Sequence, residues 1–226
     1  MLFPPDNPVW QALSSHQAHF NMGSNSLMFF PANVSPFVGM QHWDERDWPE
    51  LMNNLPANRP FSVMIARQVQ LPENLEIVFT CPLYQMCCFK LIPSFNRGLV
   101  IRKLGYEDVP QMLALTSRTK PGPFLEKTID MGGYYGIFEH GLLVSLAGER
   151  LRLNGFTEIS AICTDPSRLG RGYASVLTSH VAQSIFVSGE IPFLHVKTDN
   201  LRAIEVYRRA GFEIRTEVYF AIFRKR

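Results

Sequence analysis

The chain has 226 residues, 46% of them hydrophobic and 19% charged, with a formal net charge of +2. That length holds one large domain or two small ones around a substantial core, and the composition is that of a folded chain, not a disordered one. So small a net charge argues against a nucleic-acid partner, and Arg215, Arg224, Lys225 and Arg226 read as a solvated edge.

The first residues, Met1 to Asp6, lack a basic region followed by an apolar run, and no later run approaches membrane-spanning length. A soluble protein without a membrane partner is expected. Asn7 followed by Pro8 predicts a helix start, with Val9, Leu13 and Phe20 inward. Ser26 to Ala32 and Pro36 to Met40 read as short strands. Asp44 to Leu55 reads as a helix with Trp48, Leu51, Met52 and Leu55 at helical spacing. Strands follow at Phe61 to Ala66, Leu75 to Thr80 and Leu83 to Leu91. Neighbouring Cys87 and Cys88 would face opposite sides of a strand, and with Cys81 and Cys163 they show no paired spacing. A reducing, cytoplasmic setting is expected.

Ile92 to Gly98, punctuated by Pro93, Ser94, Asn96 and Gly98, reads as a boundary between residues 1–92 and 98–226. Beyond it the pattern predicts a strand Leu99 to Leu104, a helix Tyr106 to Arg118, a loop Thr119 to Pro123 and a short helix Phe124 to Met131. Strands Gly133 to Glu139 and Leu142 to Arg150 join at His140-Gly141, a hairpin turn. Thr157 to Thr164 is a strand, Gly172 to Phe186 a helix, Pro192 to Lys197 a strand and Asn200 to Ala210 a helix. Phe212 to Arg224 closes the chain in strands. His140, His180 and His195 do not have metal-ligand spacing, so no metal is expected.

The stretch from Thr157 to Phe212 carries the most chemistry. A strand ending in Thr164-Asp165-Pro166 runs into Leu169-Gly170-Arg171-Gly172-Tyr173-Ala174, from which a helix starts. Such a turn leaves several backbone N–H groups unpaired at a helix N-terminus, where the dipole also favours negative charge. That geometry binds a pyrophosphate. About thirty residues on stand Asn200, Ala203, Tyr207 and Gly211-Phe212. Alternation along the preceding strand would put Glu158, Ser160, Ile162 and Thr164 on one face and Ile159, Ala161 and Cys163 on the other. Cys163 reads as packing and not as an acyl carrier, because a reactive thiol needs an electropositive setting.

Residues 98–226, through this turn and the Asn-x-x-Ala-x-x-x-Tyr frame, resemble a GNAT N-acetyltransferase domain. In that superfamily the turn runs Gln/Arg-x-x-Gly-x-Gly/Ala, and Leu169 departs from the first position, with Arg168 beside it. The departure leaves the backbone cradle unaffected, since that needs small residues and not one side chain. Residues 1–92 resemble the N-terminal part of a bacterial GNAT subgroup, through Trp10-Gln11-Ala12-Leu13, Ala18-His19-Phe20, Ser35-Pro36-Phe37 and Leu83-Tyr84-Gln85-Met86. In that subgroup a reduced GNAT-like half precedes a catalytic half.

The resemblance implies a mixed α/β (α+β) GNAT fold, a mostly antiparallel twisted sheet flanked by helices. It implies an N-acetyltransferase that moves an acetyl group from acetyl-CoA to an amine, by direct attack in a ternary complex. Tyr207 would then be the general acid for the departing thiolate and Glu158 the general base. Ile162, Cys163 and Thr164 would bond the pantetheine arm through their backbone, and Gly170 to Ser175, after Leu169, would cradle the pyrophosphate. Asn200, Ala203 and Tyr207 would line the arm, while Arg171 and Arg208 would contact phosphates. Rival readings are an amino-acid N-acyltransferase using a bulkier acyl-CoA, a non-catalytic CoA-binding protein and a dinucleotide-binding protein, although G-x-G-x-x-G is missing. The amine acceptor is not legible, and nothing in the residues sets a homodimer.

Overall fold

The computed structural model describes residues 3–57, 59–95 and 98–226. Met1 and Leu2 of the N-terminus, and Asn96 and Arg97 of the expected boundary, lie outside the described residues. Helix α1 (Pro8–Leu13) starts where Asn7 and Pro8 place it, but it ends before Phe20, which sits in a separate 3-10 turn. Strands β1 (Leu27–Phe29) and β2 (Val38–Met40) pair as a small antiparallel ribbon. Helix α2 (Trp48–Asn54) covers only the second part of the predicted segment, since Pro49 suits a first helical turn.

The remaining strands form one eight-stranded sheet. They are β3 (Phe61–Ile65), β4 (Leu75–Cys88), β5 (Arg102–Lys103), β6 (Tyr134–Glu139), β7 (Leu142–Leu153), β8 (Phe156–Thr164), β9 (Ile191–Lys197) and β10 (Phe212–Lys225). Their order is β3-β10-β4-β9-β8-β7-β6-β5, and only the β8–β9 pair is parallel. The sheet is continuous across the stretch 92–98, because β4 lies between β9 and β10. The division there is one of chain order.

β4 is a single strand where two were expected, running straight through Pro82. The Pro82 carbonyl accepts from the Thr198 amide on the β9 side, just past the end of β9 at Lys197, so the missing N–H also faces that side. The β10 ladder loses nothing. Conversely, the short helix expected at Phe124 to Met131 is only a 3-10 turn, Thr128–Met131.

Helices α4 (Tyr173–Val187) and α5 (Leu201–Arg209) pack on one face, where Leu177, Val181, Ile185, Ile204 and Tyr207 meet Met86, Ile159 and Leu194. Helices α1 and α3 (Val109–Thr119) cover the other face through two clusters. One holds Leu13, Leu151, Phe156 and Phe193; the other holds Met112, Leu115, Leu146 and Cys163. Among the described residues no helix is long and apolar enough to cross a membrane.

The turn from α5 into β10 needs Gly211. Its φ is +95°, and a Cβ there would stand 2.2 Å from the Lys90 carbonyl oxygen. The neighbouring Ala210 carbonyl accepts from the Ile92 amide at 3.0 Å, so this turn holds the end of α5 against the chain after β4. Gly211→Ala is expected to destabilise the fold by about 2–3 kcal/mol, through a strained φ and a backbone clash. Denaturant unfolding, with unchanged slope and a lowered midpoint, is the check.

Candidate active site

β8 and β9 stay together only briefly. Their parallel pairing covers Phe156, Thr157 and Glu158 against Ile191, Pro192 and Phe193, and then stops. Past that point β9 pairs with β4 on its other side, while β8 stays with β7. The cause is local: Ala161 adopts φ +53°, and the β7–β8 register shifts between Gly148 and Leu146. Such a bulge bends the strand and resets its alternation. Ile159 and Ile162 therefore pack on the α4 face, whereas Ala161 and Cys163 pack on the α3 face.

A cavity of about 620 Å³ occupies the α4–α5 side of the split. Its wall carries Ile162 to Thr164, Arg168 to Ser175, and Asn200, Ala203 and Tyr207. Gly170 and Gly172 have φ +83° and +79°, which only glycine adopts without strain. Gly172 is the N-cap of α4 and offers no capping side chain. The N–H groups of residues 170–175 have no acceptor among the described residues. The α5 N-terminus differs, since the Asn200 side chain caps it by accepting from Ala203 N at 3.2 Å. One helix start is closed and the other is open to an anion.

Three cradle side chains converge on Glu139 of β6. Arg168 Nε donates at 2.6 Å and Arg171 Nη1 at 3.0 Å, and the Tyr173 hydroxyl donates as well. The Tyr173 hydrogen bond and the two guanidiniums outweigh burial and hold the Glu139 carboxyl below its usual range. Glu139 was not visible as a site residue in the sequence. Neither were Ser94, Arg202, Val206 and Arg209, which also line the cavity. Arg202, Val206 and Arg209 share helical spacing with Ala203 and Tyr207, and that signal would have found them. Arg208 is exposed and stands outside the cavity wall, one step round α5 from Arg209.

A second cavity, about 490 Å³, lies on the α1–α3 side of the same split. It is walled by Phe37, Met64 and Leu83 from the first part of the chain, by Arg118 to Pro123, and by Arg150 and His195. The two cavities share Ile162, Cys163, Thr164, Leu169, Asn200 and Tyr207. They meet at the Tyr207 phenol. Its hydroxyl has no hydrogen-bond partner among the described residues, yet it is not sealed from the cavity space. Burial pushes its pKa upward, so it stays protonated. Burial likewise pushes the Cys163 thiol up to about 11, which leaves it without nucleophilic character at neutral pH.

Glu158 is the principal correction. It is fully buried and accepts from Arg150 Nε at 2.8 Å, Arg150 Nη2 at 2.5 Å and His195 Nδ1 at 2.7 Å. Burial alone would raise its pKa, but the Arg150 charge and hydrogen bonds, with the His195 bond, outweigh that and lower it to about 2. A base must hold a proton near the working pH, and this carboxylate does not. The expected face pairing of Glu158 with Ile162 fails for the same reason as the alternation, the bulge at Ala161.

The hydrogen bonds also fix the imidazole. Arg215 Nε donates to Gln85 Oε1 at 2.6 Å, so the Gln85 amide nitrogen is the donor, and it serves Pro5 O at 2.7 Å and His195 Nε2 at 2.9 Å. His195 Nε2 is therefore an acceptor and Nδ1 carries the proton given to Glu158. Burial lowers the His195 pKa against the opposing Glu158 charge, and the ring is neutral.

Glu158→Gln is expected to cost about 3–5 kcal/mol by leaving Arg150 buried without its counter-charge. The sign of the pH effect follows from the lowered pKa. Stability from Glu158 is present above its unfolded value of 4.5 and is lost as pH falls through about 2. His195, lowered by burial, adds loss as pH falls below its unfolded value of 6.5. Thermal unfolding from pH 7 to pH 3 should show a steeper acid fall for the parent than for Glu158→Gln.

Comparison with known proteins agrees with this geometry. The family model described as FR47-like protein matches residues 134–221. A GNAT-family acetyltransferase structure from Novosphingobium aromaticivorans superposes with a TM-score of 0.91 at 30% identity, over 100% of both chains. A GCN5-related N-acetyltransferase from Kribbella flavida shares the fold, with a TM-score of 0.65 at 18% identity over 94% of this chain and 93% of that one. Mycothiol acetyltransferase of Mycolicibacterium gilvum is 29% identical over 105 residues, 42% of this chain and 35% of that protein. The chain thus matches about a third of the length of that curated relative. With its full-length agreement to the Novosphingobium structure, the chain belongs to the GNAT superfamily of acetyltransferases.

Proposed function

We propose that the protein transfers an acetyl group from acetyl-CoA to an amine, by direct attack within a ternary complex. The observation that supports this most is the meeting of two cavities at one unpartnered phenol in the β8–β9 split. In this reading the diphosphate of the donor rests on the N–H groups of residues 170–175, and the pantetheine arm lies along the open edge of β8 at Ile162 to Thr164. Its amides replace the hydrogen bonds that β9 no longer gives. A backbone N–H of β8 at Ile162 or Cys163 polarises the thioester carbonyl. Residues 1–92 contribute one wall of the acceptor cavity through Phe37, Met64 and Leu83.

The amine nitrogen attacks the thioester carbon, the new C–N bond forms and the C–S bond breaks. One proton moves from nitrogen to sulfur overall. The Tyr207 hydroxyl gives a proton to the leaving sulfur and recovers one from the nitrogen as the amide forms. Burial keeps the phenol in its acid form throughout the neutral range, so the proton is in place when the sulfur departs.

Tyr207→Phe is expected to lower kcat by about 10²-fold, within the range for loss of a general acid, while CoA affinity measured by calorimetry changes less than twofold. Retained turnover in this variant would remove the phenol from the chemistry. CoA binding without thiol release from a broad amine set would favour a binding protein instead.

A further inference from the structure

The acceptor cavity has an unusual charge inventory. Arg118, Lys120, Arg150 and Lys197 line it, and among the described residues none of its wall is Asp or Glu. Three carboxylates interact with wall residues without lining the cavity themselves, and of these Asp199 is exposed. Glu158 is consumed by Arg150 and His195, Asp165 accepts from Arg118 at 3.0 Å, and Asp199 lies within electrostatic reach of Cys81. Lys197 rests 5.6 Å from the centre of the Phe79 ring, and Lys120 ends α3 in a left-handed turn at φ +49°. His195 is neutral, and the Cys163 thiol and Tyr207 phenol are uncharged.

Arg150 adds direction to this field. Two of its nitrogens face Glu158, but Nη1 has no acceptor among the described residues and is not sealed off. A Cβ on Gly122 would be 3.8 Å from it, so Nη1 lies against the loop that closes this cavity. Two N–H donors are thereby held by a rigid buried pair. Such a held N–H can donate a charge-assisted hydrogen bond to a carboxylate or similar oxyanion.

We propose that the acceptor is an amine that also carries an anion, a carboxylate being the simplest, and that the cavity's cations keep its amino group neutral for attack. This rests on the reading of the second cavity as the acceptor site. A polyamine or aminoglycoside would bring several ammonium groups to a wall without a carboxylate, and like charges repel there. An amino-carboxylate matches it instead. Its anion meets Lys120, Lys197 and Arg150 Nη1, while apolar substituents meet Phe37, Met64 and Leu83.

The same charges address deprotonation. In water a carboxylate stabilises its own neighbouring ammonium and raises that pKa. Once the cations neutralise it, the stabilisation is lost and nearby positive charge lowers the ammonium pKa further. The amine can shed its proton to water before attack, and no dedicated base is needed. This accords with the burial of Glu158.

Calorimetry on the CoA-loaded protein tests this with leucine, phenylalanine and glutamate, each against its own α-amide, and with spermidine. At least one free acid should bind tenfold or more tightly than its amide, and spermidine should bind least. The double variant Lys120→Gln, Lys197→Gln alters two exposed side chains, and its fold is checked by circular dichroism. It should shrink the acid-over-amide preference at least threefold. In turnover at saturating substrate, the acid limb of kcat for the preferred acid should move to higher pH in that variant. Amides or spermidine binding as well as the acids, or a preference untouched by the double variant, would overturn the proposal. Failure of CoA itself to bind would instead strike the donor-site reading.

Discussion

The parting of β8 from β9 just past Glu158 is the constraint on which the rest of the site depends. Two adjacent strands normally stay paired because an unpaired buried amide is costly. Here the separation is imposed on one side by the Ala161 bulge and on the other by β9 turning its edge to β4. The result is a slot through the sheet with a helix pair on one side and a substrate-sized cavity on the other. In the proposed reaction the thioester donor would be held on the first face and its reacting carbon presented to the second.

The root of the slot is pinned by Glu158. Its carboxylate ties three strands together where the split begins: Arg150 from β7, Glu158 from β8 and His195 from β9. The bonds continue outward through Gln85 of β4 to Arg215 of β10, and Arg215 donates to Asp6 at 2.7 Å. Five neighbouring strands and the N-terminal segment thus share one chain of donors and acceptors with a single consistent proton arrangement. Removing one member would leave others buried and unmatched, which is why such networks specify geometry more than they add stability. A carboxylate that looked like a catalytic base is the pin that keeps the opening in register.

Much of this was legible in the residues because it depends on local rules. Gly170 and Gly172 announce positive φ, Asn200 announces a cap, and the frame from Asn200 to Tyr207 places one helical face. All of them line the first cavity, as do Leu169, Arg171 and Ser175. What was not legible depends on non-local pairing. Alternation failed at Ala161, since nothing in Ser160-Ala161-Ile162 marks a residue with φ +53°. The interleaving of β4 between β9 and β10 brings Gln85 beside His195, 110 residues away. That adjacency, and with it the fate of Glu158, lies in the sheet order and not in any segment.

The departure at Leu169 shows how the same logic tolerates change. A side-chain donor at that position would supplement the cradle, but the cradle consists of main-chain N–H groups whose direction is set by two left-handed glycines. The neighbouring guanidiniums of Arg168 and Arg171 are already half-neutralised by Glu139. Together they bring a net charge of about one, because two cations share one carboxylate. An incoming diphosphate would therefore compete with Glu139 for Arg171 while meeting the amides without competition. On the proposed reading the anion is held by backbone geometry, and a leucine at the first position leaves that geometry intact.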